Sequence, residues 1–485
     1  MPGVRANAGY PSIKPSRARR EPLLPVTAIS AESGERAETS GPLRTQVTDP
    51  KLAVFRRLKP GHTLSYFALF MFTAVLYARP SEIYPSAITN SMALVVALTA
   101  IGLYIPTQLA LEGNPTAMLP EVRLVLLYGL IGLIGVPLAL SRAEAWQEFS
   151  GTFIRCILVF VVLVNVVRTE ARLNWLLYLA LAVALWLSLG AINDYRLGLL
   201  TVEGYRVAGR GGGIFGNSND MALYLVTMMP IAIVLLLRTR RRWQKTAFAV
   251  ATLLMGIAVT LTYSRGAFLG LVSALAFLAW RLGRSHRTQI LIGGSILLIA
   301  FLVLAPGGYG LRLASIIFPS LDVNGSREAR SGDLMRSLYV ALRHPLLGIG
   351  MANYASQMSY HGLVTHNAYT QVAAEMGLPA LYCYTMFIVQ PLRKLGRIAR
   401  ETFDVPKHAR FHFLAVGLQA SLIAYMVSSF FASVAYLWYV FYLVGYAVCL
   451  RRLYENEVGH EVVVEKRRAR RAASRRAIRP EISTT

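Results

Sequence analysis

Apolar runs close to the length that crosses a bilayer, about 20 residues, recur from residue 63 to residue 450 of this 485-residue chain. Inside lipid every backbone amide must be satisfied within its own segment or a closed barrel, and runs of this length favour helices. The runs fall at 63–79, 88–106, 121–140, 150–167, 173–192, 219–237, 246–262, 266–280, 288–305, 368–391, 411–430 and 433–450. They predict an all-α polytopic membrane protein with about twelve transmembrane helices and a long, partly helical loop between the ninth and tenth. Charged residues make up only 15% of the chain, against roughly 25% in soluble domains.

The charge pattern orients the spans. Arg56, Arg57 and Lys59 precede the first run, which places the N-terminus in the cytoplasm. On that assignment the inner connections are Arg238–Lys245, Arg281–Arg287 and Arg393–Arg410, all dense in Lys and Arg. Residues 1–60, rich in Pro, Ser, Ala and Arg, read as a disordered cytoplasmic tail without the apolar start of a signal peptide. Residues 61–450 form the membrane domain, with outer loops at 193–218 and 306–367, and 451–485 read as a basic cytoplasmic tail. The net charge of +25 does not indicate nucleic acid, because the basic residues are not gathered on one soluble module. Within the second loop, Ser337–Leu347 reads as a short amphipathic helix stopped by Pro345 and Gly348.

The same topology puts several arginines on the outer face, against the bias. They are Arg206 and Arg210 in the first loop, Arg265 in the tight turn Thr262–Gly266, and Arg327, Arg330, Arg336 and Arg343 in the second loop. Arg79, Arg142 and Arg155 sit near outer span ends. Ionisable groups near membrane depth usually have a task or a partner. Each also has a plain structural reading. Arg265 could snorkel to headgroups, Arg330 could join an ion-pair cluster with Glu328 and Asp333, and Arg210 before Gly211–Gly213 could sit in a flexible loop.

His366, in Thr365-His-Asn367 at the entry to the tenth run, is a titratable imidazole at the water–bilayer boundary. Its unperturbed pKa suits proton transfer, although a lone histidine is as readily a helix cap. Arginine offers a fixed fork of donors for phosphate oxygens. Several of them facing one histidine suit an anionic lipid headgroup, and a pyrophosphate leaving group fits best. Carboxylates are few in the outer segments, which disfavours a two-carboxylate glycosidase. No HExxH, CxxC or paired-His spacing indicates a metal, and no cofactor is expected. Cys156, Cys383 and Cys449 lie in apolar runs and read as core residues.

Four blocks together resemble the O-antigen ligase and O-antigen polymerase superfamily of bacterial envelope glycan enzymes. They are Gly213-Ile-Phe-Gly-Asn-Ser-Asn-Asp220, Thr262-Tyr-Ser-Arg-Gly266, Arg330 with His344-Pro-Leu-Leu-Gly-Ile-Gly350, and Thr365-His-Asn-Ala-Tyr369 with Glu375-Met-Gly377. Leu76-Tyr-Ala-Arg-Pro-Ser-Glu82 also looks like a branch of such ligases found beside exosortase systems. The resemblance implies metal-independent glycan transfer from undecaprenyl pyrophosphate on the periplasmic face of the bacterial inner membrane. The acceptor would be a lipid, a saccharide or a protein. By the same resemblance His366 matches the base on the acceptor hydroxyl, and Arg265 and Arg330 match the residues that hold the pyrophosphate. Arg210, Arg206, Asn217, Asn219, Asn367, Tyr369 and Glu375 are the further substrate-binding candidates. Two positions depart from the family pattern: its Gly-x-x-Gly reads Gly377-Leu-Pro-Ala380, and Leu334 stands where an aromatic often follows the loop arginine.

The rival within the class is a polymerase of exopolysaccharide, capsule or O-antigen repeats, which shares the donor chemistry. A twelve-span secondary transporter is the rival from another class. It would show internal repeats and mid-membrane polar groups, whereas here the charges cluster at one face. A non-catalytic scaffold would tolerate substitution at His366.

Overall fold

The computed structural model describes residues 58–59, 61–200, 202–209, 213–304, 309–314, 318, 320, 326–359 and 362–478. Among them no strand forms, and the sole β-type pairing is an isolated bridge between Val202 and Arg206. Nine helices in this set are long and apolar enough to cross a membrane: Ala87–Glu112, Pro120–Leu138, Arg142–Val166, Glu170–Arg196, Ser218–Arg238, Arg242–Leu261, Arg265–Leu282, Ala368–Glu401 and Pro406–Phe431. Arg210 and residues 1–57 of the expected tail lie outside the described residues.

Three expected spans are absent from that set for different reasons. The 63–79 run folds as Thr63–Ala78, 16 residues long, or about 24 Å, short of the roughly 30 Å hydrocarbon core. The 288–305 run does not turn back after Arg281–Arg287. It continues the helix that starts at Arg265 and runs to Leu304 without a break. The basic stretch there marks topology by charge but contains no proline, and Leu, Arg, Ser and His all tolerate helix. The last run starts as helix only at Trp438 and continues through the expected tail to Ile478, so about 20 Å of it precedes Arg451.

The bundle is organised around the Ser218–Arg238, Arg265–Leu304 and Ala409–Ser428 helices, which pack on one another along their lengths. Small residues permit the close approach. A Cβ on Gly270 would lie 2.9 Å from the Ala424 carbonyl and 2.0 Å from Ser428 Oγ. Elsewhere, the fully buried Glu121 carboxylate receives Lys394 Nζ at 2.7 Å and Arg451 Nη2 at 2.9 Å. That ion triad ties three segments far apart in sequence, and it gives the expected solvated tail a fixed root. The three cysteines are free and buried.

Candidate active site

Each of the two motif turns is built by a local cap. In Thr262–Gly266, Tyr263 takes a left-handed φ of 52° and Ser264 Oγ accepts from the amide of Ala267 at 3.4 Å. Ser264 therefore caps the helix, and Arg265 falls at its first position. In Thr365–Tyr369, Asn367 Oδ1 accepts from the amides of Tyr369 at 2.9 Å and Thr370 at 3.1 Å. His366 precedes this cap with φ 51°, a region that costs a non-glycine residue energy and recurs at functional positions. Thr365 Oγ donates to the Asn367 carbonyl and meets Ser433 Oγ at 3.0 Å.

The third residue, Arg330, comes from the Ser326–Arg343 helix. This helix begins well before the Ser337 expected from periodicity, because its first turns are polar and carry no apolar rhythm. It is pinned to the Ala368–Glu401 helix through Tyr354. The Tyr354 hydroxyl donates to the Asp333 carbonyl at 2.8 Å, and the Tyr354 amide donates to Glu375 Oε1 at 3.3 Å. Ser359 Oγ donates to Asp333 Oδ1 at 3.3 Å, so Asp333 serves this joint.

A break in the Ala368–Glu401 helix completes the frame. The sequence reads 368–391 as one span, but Gly377 departs from helical geometry at φ 84°, ψ 176°. Pro379 two residues on lacks an N–H. The carbonyls of Ala374 and Glu375 are taken instead by the amides of Ile349 at 3.0 Å and Gly350 at 2.9 Å, while Leu378 N donates to Pro345 O at 2.7 Å. The His344–Gly350 block is thus the strap that caps a broken helix. Gly348, at φ +67°, lies so close that a Cβ would sit 2.3 Å from the Glu375 backbone carbon. Gly348→Ala should lower stability by about 2–3 kcal/mol, read as a lower melting temperature of the purified protein, with loss of activity in parallel.

These elements bring Arg265, Arg330, His366, Asn367, Phe430 and Phe431 to the wall of one cavity of about 290 Å³. Leu269, Ser331, Leu334 and Thr365 complete the lining used here. The lining is part cationic and part apolar. Phe431 reaches the wall because Gly266 has no side chain: a Cβ there would lie 2.6 Å from Phe431 Cβ. Burial pushes the His366 imidazole below its ordinary value, Arg330 acts in the same direction, and Asp333 partly opposes them. At neutral pH the ring is therefore neutral and able to accept a proton.

The other candidates are placed beside the cavity. Arg206 is buried and donates to the Thr262 carbonyl at 2.8 Å, to Asn219 Oδ1 at 2.8 Å and to Glu203 at 3.1 Å. Burial pushes its pKa below the ordinary value, Glu203 opposes this, and Arg265 adds to it. Arg206 thus fastens the first loop to the turn that carries Arg265. Asn217 caps the Ser218–Arg238 helix by accepting from Asn219 N at 2.8 Å. Tyr369 donates to Met426 O at 3.1 Å and packs near Phe430. Glu375 holds Tyr354. These side chains position the cavity wall and are not among its lining.

Phe430 and Phe431 were not foreseen. Their signal was an aromatic pair at the end of the 411–430 run, where aromatic belts sit. They give the cavity an aromatic surface on the same lining as Leu334.

Residues 250–385 match the family model described as O-antigen ligase. That segment is similar to the O-antigen ligase family, which supports the resemblance to the O-antigen ligase and polymerase superfamily. The ligase-family segment takes in Arg265, Arg330 and His366 together. Phe430, Phe431, Arg206 and the Gly213–Asp220 block lie outside it. None of the curated proteins matches the chain.

Proposed function

We propose that this protein transfers a glycan from undecaprenyl pyrophosphate to an acceptor hydroxyl at the periplasmic face of the bacterial inner membrane. The observation that carries the reading is the shared cavity of His366, Arg265 and Arg330. His366 takes the proton of the acceptor hydroxyl as its oxygen attacks the anomeric carbon. The glycosidic bond to the pyrophosphate breaks with inversion, and the leaving charge meets the forks of Arg265 and Arg330. Phe430 and Phe431 give the first prenyl carbons an apolar wall. The basic connections around Arg238–Arg242 and Arg393–Arg410 support the orientation with this cavity outside. Asn367 Nδ2, buried and without a hydrogen-bond partner among the described residues, is left to meet a substrate oxygen.

The test is transfer by the purified protein in lipid, with an undecaprenyl-pyrophosphate glycan and a hydroxyl acceptor. Product and free undecaprenyl pyrophosphate should appear in equal amounts. Glycan profiles of a deletion strain then separate the two family activities. Intact polymer accumulating on its carrier marks a ligase, whereas a lost ladder with a single repeat remaining marks a polymerase.

A further inference from the structure

A second cavity, of about 440 Å³, lies elsewhere in the bundle. Its polar lining includes Arg79, Arg155, Thr89 and Asp220, and its apolar lining includes Leu94, Ala97 and Ile101. It sits at the same end as the first. Asp220 adjoins Asn219, which Arg206 bonds while also bonding the turn before Arg265. Arg206 and Asn219 thus stand between the two cavities.

Arg155 is the informative residue. It is exposed, lies within the membrane-spanning helix Arg142–Val166, and has no ion pair among the described residues. A guanidinium at such a place is costly unless an anion meets it. Arg79, on the same lining, pairs with Glu82 at 2.8 Å. The helix that supplies the apolar wall, Ala87–Glu112, leaves Leu94, Val95 and Leu98 more than half exposed, as a lipid-facing helix would. From Thr89 to Ile101 it spans about 18 Å, so Thr89 lies at one end of this wall and Leu94, Ala97 and Ile101 follow along it.

We propose that this groove binds an anionic phospholipid, its phosphate held between Arg155 and Arg79 and its chain lying along Leu94, Ala97 and Ile101. Asp220 on the same lining favours a headgroup that also donates a hydrogen bond, as a glycerol hydroxyl does. The inference goes beyond glycan transfer, and its test involves no glycan, so either can fail alone.

The experiment is native mass spectrometry of the full-length protein equilibrated in mixed phosphatidylglycerol and phosphatidylcholine. The wild type should retain phosphatidylglycerol in preference to phosphatidylcholine. Arg155→Gln should reduce that retention at least tenfold. Ala97→Phe, which fills the groove and leaves both arginines in place, should do the same with an unchanged melting temperature. Equal phosphatidylglycerol retention by the wild type and both variants would overturn the proposal. So would full displacement of the lipid by millimolar inorganic phosphate, which would reduce the site to a bare anion contact.

Discussion

His366→Ala lowers the rate of glycan transfer by about 10²–10⁴-fold, the range a positioned general base supplies, while the protein inserts and folds as before. His366 lines the cavity without serving as a cap, since that task falls to Asn367. Its removal therefore takes away a proton acceptor and leaves the helix start intact. The pH dependence carries the same signature. Burial and Arg330 hold the imidazole below its ordinary 6.5, so the neutral, competent form persists into mildly acidic solution. Activity should fall only as pH drops through an apparent pKa below 6.5, and the alanine variant's residual rate should lack that limb. A variant with the wild-type rate and profile would leave His366 without a chemical role.

Arg265→Ala should cost about 10²–10³-fold, the loss expected when one preorganised donor to a developing negative charge is removed. The more discriminating substitution is Arg265→Lys. It keeps the charge but replaces a planar fork with a point donor, and it should recover little of the rate. Ser264 caps the helix and Arg206 holds the Thr262 carbonyl, so the turn that presents residue 265 does not depend on its side chain. Loss of rate at unchanged melting temperature is the expected pair of readings for both variants. Full activity in Arg265→Lys would mean that charge alone suffices there.

The three residues that share one cavity are legible as candidates because ionisable groups are rare at a membrane surface. Arg265 and Arg330 stood out as outer-face arginines, and His366 as a titratable ring at a span entry. What holds them was harder to read. The break at Gly377 depends on a strap from His344–Gly350, a tertiary pairing with no local period. Arg206 reads from sequence as a substrate-binding candidate; its burial and three hydrogen bonds, which fasten the first loop to the Arg265 turn, have no local sequence signal. Asn217 and Asn367 were polar residues in the right blocks, and both act as caps. The merged helix Arg265–Leu304 was missed because a run of positive charge was read as a turn, when charge orients a segment without breaking its backbone.

The central claim is that the arginines bind the pyrophosphate and the histidine acts on the acceptor, in one cavity. Affinity for undecaprenyl pyrophosphate, measured on the wild type, Arg265→Gln, Arg330→Gln and His366→Ala, separates these roles. Each arginine variant should bind at least about tenfold more weakly, the equivalent of roughly 1.4 kcal/mol. His366→Ala should bind like the wild type and yet fail to transfer. Wild-type affinity in both arginine variants, or lost affinity confined to the histidine variant, would contradict the account.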